Sequence, residues 1–180
     1  MSTRFPGTTI EATSLEKGSS KYLFNGIFAA GGITLSQVSI MTGLEPYLIQ
    51  NWVKRGFVSS PVKRVYDRAQ FARIIIINML RQTLQIERIC ELMQGISDVS
   101  DNVIGADELY HRYVDMLAEN DINISDENSV RRAAENAVAD FEGKASGTKK
   151  QLVKILEVML YAYTSARLRD RAEEMICTLQ

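Results

Sequence analysis

The chain has 180 residues, 46% of them hydrophobic and 24% charged, with a formal net charge of −1. That composition can bury a core and excludes a wholly disordered chain. Apolar runs such as Ile74 to Ile77 are far short of a membrane span, and the polar stretch Met1 to Lys21 lacks the continuous apolar segment of a signal peptide, so no membrane partner is expected.

Residues 1–20, with Gly7, Gly18 and many Ser and Thr residues, read as a loose arm. Ser19 or Ser20 can cap a short helix over about Tyr22 to Ala30, with Phe24, Ile27 and Phe28 at helical spacing and Gly31-Gly32 as its stop. Thr34 suits an N-cap or a strand end. Leu35, Val38 and Met41 then recur every three residues up to Gly43. Glu45-Pro46 opens a second short helix, because proline is favoured in a first turn whose N–H groups need no intrahelical partner. Two short helices about a glycine-containing turn form the minimal helix-turn-helix pattern.

The second helix, Glu45 to Arg55, divides cleanly on a wheel of about 100° per residue. Leu48, Ile49, Trp52 and Val53 share an apolar arc, while Tyr47, Gln50, Asn51 and Lys54 share a polar arc without any acid. Amides can bond adenine edges in pairs, and lysine reaches guanine or phosphate, so this arc has the chemistry of a major-groove reading face. The alternative is a solvated surface.

After Gly56, Phe57-Val58 and Val62 to Tyr66 read as two extended segments around Ser59-Ser60-Pro61, giving a hairpin with Lys63 and Arg64 at its tip or edge. An ordinary loop is the competing reading. Asp67 caps a helix over about Arg68 to Thr83; its β-branched Ile74–Ile77 run favours strand, but the period continued by Phe71, Ile74, Ile75, Asn78 and Arg81 favours a buried helix. An amphipathic helix with Ile86, Ile89, Cys90 and Met93 on one side follows, then a linker at residues 95–105. Beyond it lie three helical patterns, Leu109–Leu117, Val130–Phe141 and Leu152–Tyr163, the last two separated by Gly143 to Gly147. The stripe from Leu152 to Tyr163 suits packing within the subunit or across a two-fold axis.

Charge is unevenly spread. Residues 33–90 hold eight basic side chains against three acidic ones, whereas residues 91–180 hold ten against seventeen. A basic block before an acidic one suggests that the first half faces a polyanion.

Enzymatic chemistry finds little apparatus. Glu108 and His111 have the Glu-x-x-His spacing of di-iron bundles, but such sites need two pairs and the chain has one histidine. Cys90 and Cys177 stand apart, fit a reducing cytoplasm, and read as small apolar packing residues rather than as a metal site or disulfide. Gly143 to Lys150 lacks the glycine spacing of a phosphate loop and reads as a turn between helices. No catalytic residue, metal or cofactor is expected.

From Ile33 to about Ile96, the run TLSQVSIMTGLEPYLIQNWVKRGFV, a short wing and RVYDRAQFARIIIINMLRQTLQIERICELM resemble the MerR-type DNA-binding domain. More narrowly, NWVKRGF, SSPVKRVY and the apolar helix before LQIERI resemble an uncharacterised bacterial family, the domain of unknown function numbered eighteen thirty-six. The resemblance implies an all-α fold: a winged helix-turn-helix with a small β wing, followed by a C-terminal helical module. It further implies that Tyr47, Gln50, Asn51 and Lys54 face double-stranded DNA, with Lys63 and Arg64 in the wing, and that a homodimer binds an inverted repeat through a C-terminal half that dimerises or senses. Arg55 and Arg68 extend the expected basic surface. Many MerR proteins carry arginine at the position of Gln50 and a longer wing, and the region after Gly95 shows no effector motif.

The expected organisation is therefore an arm and helix (1–32), a DNA-binding domain (33–96) and an acidic helical module (97–180) of a cytoplasmic, non-enzymatic transcription regulator. A protein-interaction module on the same fold, or a sensor of an unidentified small-molecule effector, remain open alternatives.

Overall fold

The computed structural model describes residues 3–97, 104–119, 121–142 and 147–179. Helices dominate, with two small two-stranded sheets. In chain order the elements are β1 (Thr3–Arg4), β2 (Glu11–Ala12), α1 (Ser19–Ile27), β3 (Ile33–Thr34), α2 (Leu35–Thr42), α3 (Pro46–Lys54), β4 (Val65–Tyr66), α4 (Arg68–Leu80), α5 (Ile86–Ser97), α6 (Ala106–Leu117), α7 (Glu127–Ala137) and α8 (Thr148–Cys177). Among the described residues no helix is long and apolar enough to cross a membrane.

The buried helix α4 lies at the centre. Its tetraisoleucine run is fully buried, Ile74 through Ile77 each at 0% exposure, so tertiary packing overrides the strand preference of β-branched side chains. Burying each such chain contributes about 1.5–3 kcal/mol. Asp67 caps the helix as expected: its carboxylate accepts from the Gln70 N–H at 2.8 Å, and Gln70 Oε1 accepts from the Asp67 N–H at 2.9 Å. The helix stops at Leu80, three residues before the expected Thr83.

Aromatic rings join α1, α4 and α6. The Phe24 ring centre lies 5.5 Å from Phe71, 5.7 Å from Tyr110 and 4.8 Å from His111. One apolar cluster extends from Phe5 to Ala162, and α6 packs closely along α4. Packing therefore crosses the boundary expected between residues 96 and 97. The expected linker lies mostly outside the described residues, as does most of the expected turn at 143–147.

The stretch read as a loose arm is docked. β1 pairs antiparallel with β2, Phe5 is buried, and Tyr110 Oη donates to the Pro6 carbonyl at 2.9 Å. Gly7 makes this approach possible: it sits at φ 72°, and a Cβ there would lie 2.5 Å from the Ile75 carbonyl oxygen. At the start of α1 the cap is Gly18 rather than Ser19 or Ser20, and the Gly18 N–H donates to Asp115 Oδ1 at 2.7 Å.

The C-terminal helices resolve one open alternative and depart from expectation at their end. Leu152, Ile155, Leu156, Met159 and Leu160 are buried within the subunit, which assigns that stripe to the interior. Helix α8 then continues to Cys177, and that cysteine is exposed instead of packed, whereas Cys90 is buried.

Candidate nucleic-acid interface

The two short helices are held by local chemistry. Thr34 ends β3 and caps α2: its Oγ1 accepts from the Gln37 N–H at 3.3 Å, while Gln37 Oε1 accepts from the Thr34 N–H at 2.8 Å. Gly43 closes α2 at φ 69°, a left-handed conformation that glycine adopts without steric cost. Pro46 then occupies the first turn of α3 behind an extended Glu45. Across the turn, Ser39 Oγ donates to the Leu44 carbonyl at 2.6 Å, and Thr42 Oγ1 donates to the Val38 carbonyl at 2.7 Å.

A long-range clamp fixes this turn against the core. Asn78, the polar residue inside the apolar helix α4, donates through Nδ2 to the carbonyls of Gly7 and Thr42, both at 3.0 Å. Sequence reasoning used Asn78 only as a point on a helical period; a polar residue immediately after four buried isoleucines was the available signal.

Helix α3 places Ile49 and Trp52 inward, at 0% and 2% exposure. On the opposite side, Tyr47 is 66% exposed, and Gln50, Asn51 and Lys54 are exposed with it. Their spacing of three, four and seven residues from Tyr47 lines them along one face. None of these four side chains has a hydrogen-bond or ion-pair partner among the described residues. Helix α3 thus presents a free face of two amides, one ammonium and one phenol on a buttressed helix.

The segment expected to form a wing is arranged differently from the two-strand hairpin read in the sequence. Phe57 and Val58 do not pair with the later strand; their N–H groups instead turn back to the Trp52 carbonyl at 2.9 and 3.4 Å, and Val58 is buried. β4 pairs with β3, Ile33 opposite Tyr66 and Thr34 opposite Val65. Between Val62 and Val65 the chain reverses in two residues, the Val65 N–H donating to the Val62 carbonyl at 3.0 Å. Lys63 and Arg64 are those two residues, at φ 51° and 65°. Both are exposed, and neither has a side-chain partner among the described residues. Two successive positive φ values match the tight hairpin turn that normally selects Asn-Gly, so a basic pair here carries backbone strain. Gln70 holds the approach to this turn, its Nε2 donating to the Ser59 and Ser60 carbonyls at 3.0 Å.

Two predicted residues are engaged elsewhere. Arg55 pairs with Glu87 of α5 at 2.9 Å and lies 4.5 Å from the centre of the Phe57 ring. Arg68 donates to Asn25 Oδ1 at 2.8 Å and stacks over Phe28. Both therefore brace neighbouring elements. Of the eight residues singled out, six have no hydrogen-bond or ion-pair partner among the described residues.

The rejected metal motif is likewise occupied. Glu108 pairs with Arg112 at 2.9 Å and Lys21 at 3.5 Å, and His111 Nδ1 lies 2.9 Å from Ser20 Oγ. Burial lowers the His111 pKa, with Lys21 adding to that and Asp107, Glu108 and Asp115 opposing it.

Comparison with known families bears on the same stretch. Residues 33–113 match the model of a domain of unknown function, DUF1836. That segment is similar to this family. The DUF1836 segment starts at β3 and ends within α6, so it contains every residue singled out above together with the helix that packs along α4. It extends past the resemblance noted at Ile33 to Ile96, as expected if α6 belongs to the same core. No curated protein and no solved structure matches the chain.

Proposed function

We propose that the chain is a DNA-binding transcriptional regulator using a MerR-like winged helix-turn-helix, with α3 in the major groove and the Val62–Val65 turn against the phosphate backbone. The observation that supports this reading is the unpartnered face of Tyr47, Gln50, Asn51 and Lys54, free of acids and opposite the buried Trp52. Amide side chains there can make paired bonds to adenine, and Lys54 can reach guanine or phosphate. Lys63 and Arg64 add two cations on a turn too short to reposition, which suits a fixed backbone contact.

Lys54, Lys63 and Arg64 are cations of this surface with no partner among the described residues. Three phosphate contacts give a slope of about −3 in log K against log salt per protomer. Titration of fluorescent random duplex at several salt concentrations tests this. Steep salt dependence supports the reading, and absence of binding at low salt removes it.

A second reading, docking of a protein partner, draws on Ile40 and Val62. Both are 71% exposed and apolar, and a phosphate backbone would leave them wet. The same titration separates the two, because an interaction module shows no affinity for duplex. For the sensor reading, the groove between α7 and α8 is lined by Arg131, Glu135, Lys150, Lys154 and Glu157 and opens to solvent, which does not suit an enclosed apolar effector.

A further inference from the structure

A groove follows the seam between the N-terminal hairpin and helix α8. Its floor is apolar, with Leu15 from the segment after β2, Leu117 from the end of α6, and Tyr163 and Leu168 from α8. Its rim carries Arg4 of β1 together with Arg167 and Arg171 of α8, and no carboxylate among the described residues lines it. Tyr163, Arg167, Leu168 and Arg171 recur at spacings of three to five, which sets them along one side of the helix. Leu168 is 63% exposed, so part of the apolar floor stands in water. The volume is about 470 Å³, inside the range of about 300–1,000 Å³ that small-molecule sites occupy.

Charge sets this groove apart from two larger ones. The groove between α7 and α8 mixes Arg131, Lys150 and Lys154 with Glu135 and Glu157, and the one beside α1 has Glu16 next to Lys17. Here three guanidinium groups stand together over apolar side chains. Arg167 donates to Tyr163 Oη at 3.3 Å and has no ion-pair partner among the described residues. Arg4 pairs with Glu11 at 3.5 Å and Arg171 with Glu174 at 3.2 Å, but all four of those side chains are at least 58% exposed. Exposed pairs of this kind contribute little and exchange readily for a better-placed anion. Each guanidinium presents a planar fork of N–H donors that matches the two oxygens of a carboxylate.

We infer that this groove binds a single-chain alkyl carboxylate, its head held by Arg167 and Arg171 with Arg4 closing from the hairpin, and its tail lying on Leu15, Leu117 and Leu168. A small anion without a tail would leave the apolar floor wet, and an apolar molecule without a head would leave the three cations unanswered. An anionic amphiphile uses both halves of the groove. None of the lining residues falls within the matched segment 33–113, and part of the wall comes from the N-terminal hairpin and the residues after it. The site is therefore a property of the chain outside the matched family, and nothing in it depends on α3 or on DNA.

The test is titration of the full chain, without DNA, with decanoate below the concentration at which it forms micelles, followed by amide chemical shifts. Saturable shifts should centre on Arg4, Leu15 and the Tyr163–Arg171 stretch, with a dissociation constant of about 2 mM or tighter for a ligand of this size. Decylammonium, with the same tail and the opposite charge, should bind at least about tenfold more weakly. Octanoate should bind at least about threefold more weakly than decanoate, because two fewer methylenes are covered. Arg167→Gln/Arg171→Gln should weaken decanoate at least about tenfold with an unchanged circular dichroism spectrum, since both side chains are exposed. Arg132→Gln/Lys150→Gln removes the same charge elsewhere on α7 and α8 and should leave the affinity as it was. Absence of saturable shifts, shifts centred away from the groove, equal binding of decylammonium, or equal losses from the two double variants overturns the inference. Because DNA is absent, failure here leaves the nucleic-acid reading standing, and failure of that reading leaves this one.

Discussion

Replacing Lys63-Arg64 by Asn-Gly separates binding from folding, because the two effects should have opposite signs. Both residues sit in left-handed backbone, φ 51° and 65°, and neither side chain has a hydrogen-bond or ion-pair partner among the described residues. Left-handed backbone costs a non-glycine residue about 1–2 kcal/mol, and Asn-Gly is the pair that this turn favours. Against that gain, glycine adds unfolded-state entropy worth about 0.4–1 kcal/mol. The net expectation is a stabilisation of about 1 kcal/mol, or a melting temperature raised by about 2–4 °C in a chain of this size. If the turn lies on phosphate, losing both cations should make the salt slope shallower by about 2 units. Thermal denaturation and duplex anisotropy on the same samples read both. A more stable variant with unchanged duplex affinity and slope would refute the wing assignment, and a less stable variant would refute the strain argument.

Two further outcomes follow from the scaffold. Asn78→Ala removes the hydrogen bonds by which α4 fastens the helix turn and the N-terminal hairpin, at the Thr42 and Gly7 carbonyls. Stability in urea should fall by about 1–3 kcal/mol, and a change below about 0.5 kcal/mol would show that the clamp is redundant. His111, buried beside Ser20 and Phe24, has a lowered pKa chiefly through burial, so its neutral form is favoured in the folded chain. The unfolded chain therefore takes up the proton first: the contribution is complete above about pH 6.5 and is lost as pH falls through the folded value. Denaturation of wild type and His111→Gln across that window should show the wild type losing more stability on acidification; the reverse order would contradict it.

Local chemistry made much of this arrangement readable. Thr34, Gly43, Pro46 and Asp67 each act through neighbours within four residues, so α2, α3 and the start of α4 could be placed without coordinates. The two faces of α3 were legible for the same reason: one helical period separates Trp52 from Asn51 and Lys54. Contacts between distant residues were not. β4 finds its partner about thirty residues upstream in β3, and Lys63-Arg64 has none of the glycine or asparagine that announces a tight turn. The N-terminal hairpin looked loose because Ser, Thr and Gly dominate it, while the bonds that anchor it come from Asn78 and from Tyr110, 71 and 104 residues away. Arg55 and Arg68 were indistinguishable from free cations until Glu87 and Asn25 stood beside them.

The reading role of α3 is tested most directly by selecting bound sites from random duplex DNA with the wild-type chain and with Asn51→Ala. The account predicts an enriched motif from the wild type, with one position losing its preference in the variant at a cost of about 1–3 kcal/mol for the preferred base. Recovery of no motif, or of the same motif with equal preference from both proteins, would contradict it.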